Sequence, residues 1–227
     1  MTNPVVGAIF DMDGLLIDTE KLSYASYRHA RDWAGLPADD ELFYSVVGLN
    51  SRAGHERLVA GLSHLTDYDR FRAVWREAFD ASMAEEVPVK RHVRDVLETL
   101  SSRGTPMAVA TSTNAGSAHD RLSRAGLRKH FSVLIGGDQI QNGKPAPDIY
   151  LKAAATLGLA PSRCAGFEDS ANGVRAAVSA GLVTVQVPDL IHPTPELLAL
   201  GHRVAADLAE AMRLVGLMPH AELVPAL

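Results

Sequence analysis

The sequence has a single cysteine, Cys164, among its 227 residues. One thiol cannot form a disulfide within the chain or a thiolate metal cluster, so a disulfide-rich secreted scaffold is excluded and a reducing environment is expected. No apolar stretch is long enough to span a bilayer. The first charges, Asp11 and Asp13, follow a short apolar run, whereas a secretion signal needs basic residues before a longer one. We therefore expect a cytoplasmic protein without a membrane partner.

Positive charge is also scarce. The chain has 22 Lys and Arg against 27 Asp and Glu, a formal net charge of -5, and a pI near 6.0. Proteins that bind nucleic acid or a membrane surface use a basic face to collect phosphates. The nine histidines show neither an HExxH motif nor another paired spacing suited to zinc. A small molecule is therefore the expected partner, and nucleic acid is not.

Short apolar runs, in contrast, recur along the chain with helix-like segments between them. Hydrophobic residues make up 47% of the sequence, enough for a substantial core. This alternation predicts a parallel sheet with helices on both faces, because parallel neighbours need long crossover connections. The expected class is α/β, with strands in the runs VVGAIF, PMAVATS, FSVLIGG, CAGFED and LVTVQVPD.

The strand signal disappears between Asp18 and Val87 and gives way to helical periodicity. We predict that 1–17 and 88–227 form the sheet domain and that 18–87 form an all-helical insertion. The insertion has 13 acidic and 8 basic side chains against 14 of each elsewhere, so it carries the whole negative balance. Its clearest helix lies within TDYDRFRAVWREAFDASMAEE, with one apolar face formed by Phe71, Val74, Trp75, Ala78 and Phe79.

Polar side chains follow the first two apolar runs. Asp11 and Asp13 come directly after the first run, and ligands of open α/β sheets bind at the carboxyl ends of strands. Taken alone, an Asp-x-Asp pair before Gly14 is more often a turn cap. Thr111 and Ser112 follow the second run, where a hydroxyl and main-chain N–H groups either seat an anion or cap the next helix.

Two later segments add charge at the same predicted edge. Lys144 lies in a turn between a glycine and a proline, stiff surroundings that would hold one positive charge in place. Glu168 and Asp169 end the fourth run, where adjacent carboxylates repel each other unless a divalent cation binds them, although Asp169 or Ser170 could also cap the following helix. Together, the acids, hydroxyl and ammonium form a set suited to phosphoryl transfer.

The segments FDMDGLLIDTE, ATS, GKPAPDIYL and FEDSANGVRAAVSAG resemble the four motifs of the haloacid dehalogenase superfamily, in its phosphatase and β-phosphoglucomutase-like branch. The likeness covers nearly the whole chain. It implies a Rossmann-like core with an all-helical cap inserted after the first motif, at 18–87. It also implies a Mg²⁺-dependent phosphatase that acts on a small phosphorylated metabolite, sugar- or nucleotide-like, as a monomer or weak homodimer.

The resemblance further implies a role for each motif residue. Asp11 is expected to be the nucleophile that forms an aspartyl-phosphate, and Asp13 the general acid and base. The Mg²⁺ ion is expected on the side chain of Asp11, the main-chain carbonyl of Asp13 and Asp169, with Glu168 in or near its coordination shell. The remaining phosphate oxygens would be held by Thr111, the N–H of Ser112, and Lys144.

Two alternatives remain open from the sequence. A β-phosphoglucomutase-type phosphomutase shares the motifs, but the family's mutases place a His four residues after the Thr of the first motif and use a cap Lys. Here Ser23 stands at that position, Lys21 is the only Lys between 18 and 87, and Arg52 lies one position later than the expected cap Arg. A non-enzymatic receiver-like phospho-acceptor module uses similar residues, but it is shorter and has no helical insertion.

Overall fold

The computed structural model describes residues 4–47 and 51–219, and the side chains of these ranges apart from 51–53. The chain divides into two compact units, which are described separately. The first, here called the sheet unit, comprises Met1–Ile17 and Val89–Leu227, and the second, the helical unit, comprises Asp18–Pro88.

The sheet unit is built on a six-stranded parallel sheet, so the predicted α/β class is confirmed. The strands are β1 (Gly7–Phe10), β2 (Met107–Ala110), β3 (Val133–Ile135), β4 (Cys164–Glu168), β5 (Val183–Gln186) and β6 (Arg203–Val204). Their order in the sheet is β3-β2-β1-β4-β5-β6, which places β1 at the centre. The sequence predicted five of the strands; the sixth has two exposed residues at the sheet edge and no apolar run to reveal it.

Helices connect these strands, and glycine or proline lies at the ends of several of them. Gly158 and Gly181 adopt φ values of +72° and +80° after two of the helices, a conformation that favours glycine. Pro147 is the N-cap of its helix and lies just before the first turn. The helices of this unit are α5 (Val93–Ser102), α6 (Ala115–Arg124), α7 (Asp148–Thr156), α8 (Ala171–Ser179), α9 (Pro195–Leu198) and α10 (Leu208–Leu214).

The strand register brings the polar strand ends to one edge. Phe10 of β1 pairs with Val109 of β2 and with Phe167 of β4, and the rings of Phe10 and Phe167 stack at 5.1 Å. β1 and β2 are buried along their whole length, as expected of a central parallel strand and its neighbour. Because neighbouring parallel strands end together, the residues that follow them emerge side by side.

The helical unit has an aromatic core. Its two longest helices, α1 (Thr19–Trp33) and α4 (Tyr68–Glu85), pack against each other. The ring centroid of Tyr27 in α1 lies 5.9 Å from that of Phe71 and 5.1 Å from that of Trp75. The indole Nε1 of Trp75 donates to the carbonyl of Ser23 at 3.0 Å. None of the helices in the described ranges is long and apolar enough to cross a membrane. Those of this unit are α1 (Thr19–Trp33), α2 (Asp40–Tyr44), α3 (Ser51–Leu62) and α4 (Tyr68–Glu85).

Candidate active site

A buried lysine joins two of the predicted carboxylates at the edge of the sheet. The Nζ of Lys144 donates to Oδ1 of Asp11 at 2.6 Å, to Oε1 of Glu168 at 2.5 Å and to the carbonyl of Ala110 at 3.0 Å. Although the sequence places Lys144 in a turn, its side chain is only 6% exposed. The flanking Gly143 and the ring of Pro145 are exposed, so the turn lies at the surface while the ammonium group extends inward.

The electrostatics of this cluster follow from burial and from its charges. Burial, with a smaller contribution from the nearby Glu168, raises the pKa of Asp11 to about 8 against the attraction of the Lys144 ammonium. Burial alone would lower the pKa of Lys144, but the two carboxylates outweigh burial and raise it. The lysine therefore stays charged. The carboxyl group of Asp11 keeps its proton up to a pH well above the ordinary pKa of an aspartate, unless another cation binds nearby.

Glu168 is held from three sides and has no solvent exposure. The hydroxyl of Tyr150 donates to Oε1 of Glu168 at 2.5 Å, and the hydroxyl of Ser170 donates to Oε2 at 3.2 Å. Burial and the charge of Glu168 raise the pKa of Tyr150 well above its usual range, so the phenol keeps the proton that it donates. Gly173 makes room for the carboxylate, because a Cβ added there would lie 1.9 Å from it.

Three carboxylates converge where a cation could bind. Asp11, Glu168 and Asp169 each offer an oxygen within 4.8 Å of the others. Gly14, with φ +83°, leaves the space in which Asp169 lies, since an added Cβ would stand 2.3 Å from Oδ2 of Asp169. Carboxylate oxygens suit a hard divalent cation, so these residues fit the metal site expected from the sequence. The side chain of Asp13 is not part of this group.

Asp13 instead accepts hydrogen bonds from two residues that the sequence analysis missed. Its Oδ2 accepts from the hydroxyl of Thr113 at 2.7 Å, and its Oδ1 accepts from Nη1 of Arg121 at 3.1 Å. Arg121 lies in α6, and nothing in the sequence distinguishes it from a solvent-exposed charged residue on a helix. The carboxyl group of Asp13 is thus oriented apart from the metal-binding oxygens, at a part-exposed position.

The two predicted phosphate-binding residues after β2, Thr111 and Ser112, differ in their exposure to solvent. Thr111 is almost fully buried, and its Oγ1 accepts from the main-chain N–H of Thr113 at 3.2 Å. Ser112 is exposed. Neither residue caps α6, because Asn114 does so by accepting from the N–H of Ser117 at 2.8 Å. At the start of α8, the N-cap is Ser170.

Known proteins resemble this chain over most of its length. The family model of the haloacid dehalogenase-like hydrolases matches residues 8–187, from the first strand to the end of β5. The chain belongs to this hydrolase family. The predicted phosphoric monoester hydrolase is confirmed by the phosphatases among its relatives.

Two curated relatives of this haloacid dehalogenase-like hydrolase are phosphatases. The phosphorylated carbohydrates phosphatase of Thermotoga maritima is 38% identical over 174 residues, which cover 77% of this chain and 81% of that protein. The fructose-1-phosphate phosphatase YqaB of Escherichia coli is 33% identical over 184 residues, covering 80% and 95%. A family hydrolase from Deinococcus radiodurans, solved with bound phosphate and sodium, superposes with a TM-score of 0.80 at 28% identity, covering 96% and 99%.

Proposed function

We propose that this hydrolase is a Mg²⁺-dependent phosphatase of small phosphomonoesters, sugar- or nucleotide-like, which works through an aspartyl-phosphate on Asp11. The observation that carries the proposal is the contact of Lys144 with both Asp11 and Glu168, each of which has a carboxylate oxygen within 4.8 Å of one of Asp169. One buried ammonium group and a cluster of carboxylates beside a nucleophile are the groups that phosphoryl transfer requires.

In the proposed reaction, Asp11 attacks the phosphorus of the ester. The new bond joins its carboxylate oxygen to phosphorus, and the bond between phosphorus and the ester oxygen breaks. Asp13 gives its proton to the departing alkoxide and then takes a proton from the water that attacks the phosphorus of the aspartyl-phosphate. As the water oxygen bonds to phosphorus, the bond between phosphorus and the Asp11 oxygen breaks. The products are the alcohol, inorganic phosphate and the original Asp11. The separate orientation of Asp13, held by Thr113 and Arg121, supports its assignment to proton transfer.

Lys144, the hydroxyl of Thr111 and the N–H of Ser112 are proposed to hold the phosphate oxygens. A Mg²⁺ ion would be held by Asp11, Asp169 and the main-chain carbonyl of Asp13, and when bound it would offset the negative charge of the phosphate. Glu168 borders that site, but it already accepts hydrogen bonds from three side chains. We therefore assign Glu168 mainly to holding Lys144 in place.

Recognition of the organic group is proposed to depend on the helical unit, which would act as a cap. The residues assigned to phosphate binding all belong to the sheet unit, so they cannot distinguish one phosphate ester from another. The helical unit has a cavity of about 480 Å³ that includes Trp75, Phe79, Arg72 and Arg76 in its lining, a volume typical of small-ligand sites. The carbohydrate phosphates named for the two relatives make a sugar phosphate the first class to test.

The decisive experiment measures phosphate release from a panel of sugar monophosphates, nucleotides, sugar bisphosphates and phosphopeptides, with Mg²⁺ and with EDTA. We expect turnover of small monoesters with Mg²⁺ and none with EDTA. Equal turnover without metal, or a clear preference for phosphopeptides, would contradict the proposal. Conversion of a sugar 1-phosphate to its 6-phosphate without phosphate release would instead favour the mutase. The side chain of Arg52, which bears on that alternative, lies outside the described residues.

A further inference from the structure

A buried glutamine contacts the main chain of the proposed metal ligand Asp169 from the neighbouring strand. Gln186 is the last residue of β5 and is 1% exposed. Its Nε2 donates to the carbonyl of Asp169 at 3.0 Å, and its Oε1 lies 3.0 Å from Nε2 of His202. These contacts form a chain from the loop before β6, through β5, to the end of β4. Nothing in the phosphatase mechanism above uses Gln186 or His202.

The hydrogen-bond roles along this chain follow from its chemistry. A carbonyl oxygen can only accept, so the NH₂ group of Gln186 must face Asp169 and its oxygen must face His202. Nε2 of His202 therefore carries a hydrogen and donates. Nδ1 of His202 is buried and has no hydrogen-bond partner among the residues that the structure describes. Burial also lowers the pKa of His202, which favours the neutral form of the ring.

The peptide that Gln186 contacts lies between the metal-binding carboxylates and the start of a helix. The N–H of Val187 donates to the carbonyl of Glu168 at 2.7 Å, so β5 supports both acidic residues through their main-chain oxygens. Immediately after Asp169, Ser170 caps α8. The main-chain position of Asp169 sets where its carboxylate lies beside Gly14, in a space that admits no Cβ.

We propose that Gln186, held in one amide orientation by His202, is a positioning residue that fixes Asp169 for metal binding. This inference rests on the proposed function, because it assumes that Asp169 binds the cation. Groups that orient metal ligands commonly change metal affinity by ~10- to 100-fold when they are removed. The expected effect is therefore on the affinity for the cation, with the phosphate-binding groups left in place.

The test is calorimetric titration of the metal-free protein with Mg²⁺ alone. Gln186→Leu keeps the bulk of the side chain and removes both hydrogen bonds, and we expect Mg²⁺ to bind it ~10- to 100-fold more weakly than the wild type. His202→Leu removes only the outer bond and should weaken Mg²⁺ less; it also serves if Gln186→Leu does not fold. Thr184→Val is the matched control, because it removes a buried hydroxyl from the same strand that bonds only to the carbonyl of Leu182 in the structure described.

The outcomes separate this inference from the proposed function. If the wild type does not bind Mg²⁺, the proposed function fails and the inference falls with it. If the wild type binds Mg²⁺ and the Gln186 and His202 variants bind it equally well, only the inference is overturned. If Thr184→Val weakens Mg²⁺ binding as much as Gln186→Leu does, general loosening of β5 explains the loss and the positioning role is refuted. In the wild type, nitrogen-15 NMR should show His202 protonated on Nε2 and not on Nδ1.

Discussion

Replacement of Gly173 by alanine should damage this enzyme, although the same change usually stabilises a helix. Gly173 lies in the first turn of α8, and a Cβ built there would meet the carboxyl carbon of Glu168 at 1.9 Å. Ordinary van der Waals contact begins near 3.4 Å, so the carboxylate must move away. It cannot do so freely, because it is fully buried and accepts hydrogen bonds from Lys144, Tyr150 and Ser170.

The magnitude follows from two opposing contributions. Alanine is favoured over glycine in a helix by about 1 kcal/mol. Displacing Glu168 breaks at least two hydrogen bonds to a charged group, each worth about 1.5 to 3 kcal/mol, and leaves the ammonium of Lys144 with one carboxylate fewer. The net loss of unfolding free energy should be about 2 to 5 kcal/mol. For a chain of this length, that corresponds to a fall in Tm of roughly 5 to 15 °C.

Thermal denaturation and phosphate-release kinetics check this prediction together. Because Lys144 loses a partner that holds it near Asp11, kcat/KM should fall by ~10²-fold or more. Gly116→Ala in the first turn of α6 is the matched control, since its added Cβ meets nothing closer than Oδ1 of Asn114 at 3.6 Å. That variant should be as stable as the wild type or slightly more stable. A Gly173→Ala enzyme with wild-type Tm and kcat/KM would refute the reasoning.

Three further predictions concern the same site. In a phosphate-release assay, Asp11→Asn should abolish turnover. Asp13→Asn should lower the rate by ~10² to 10⁴-fold, the usual contribution of general acid–base catalysis. An active Asp11→Asn enzyme would show that the nucleophile is wrongly assigned. Tyr150→Phe removes one donor to Glu168, and the binding free energy of inorganic phosphate, measured as an inhibitor, should become weaker by ~1 to 3 kcal/mol. Tyr44→Phe, at an exposed position, should not change it. Equal effects of the two substitutions would exclude a specific role for the Tyr150 hydroxyl. Because burial raises the pKa of Asp11 to about 8, protons compete with Mg²⁺ for its carboxylate below that pH. The Mg²⁺ affinity measured by calorimetry should therefore rise with pH until about 8 and then level off. A Mg²⁺ affinity independent of pH would argue against Asp11 as a ligand.

Local pattern was sufficient to predict the fold class and to single out the candidate residues. Parallel strands buried on both faces are continuous apolar runs, and the polar residues that end those runs stand out against them. Asp11, Thr111 and Glu168 could therefore be identified, and the parallel arrangement required them to emerge at one edge. The motif containing Lys144 added a charge whose residue type and neighbours are visible in the sequence. These inferences depend on short-range order, which a linear sequence records.

Only the tertiary structure decided which side chains hold those groups in place. Tyr150 lies on the buried face of α7 and, in sequence, resembles any core aromatic residue, yet its hydroxyl contacts a carboxylate 18 positions away. Arg121 contacts Asp13 across 108 positions, and Gln186 contacts the main chain of Asp169 across a strand crossover. Such contacts depend on the register of the sheet and the packing of its helices. They leave no periodic signal, because each requires one side chain to reach one atom brought close only by the folded chain.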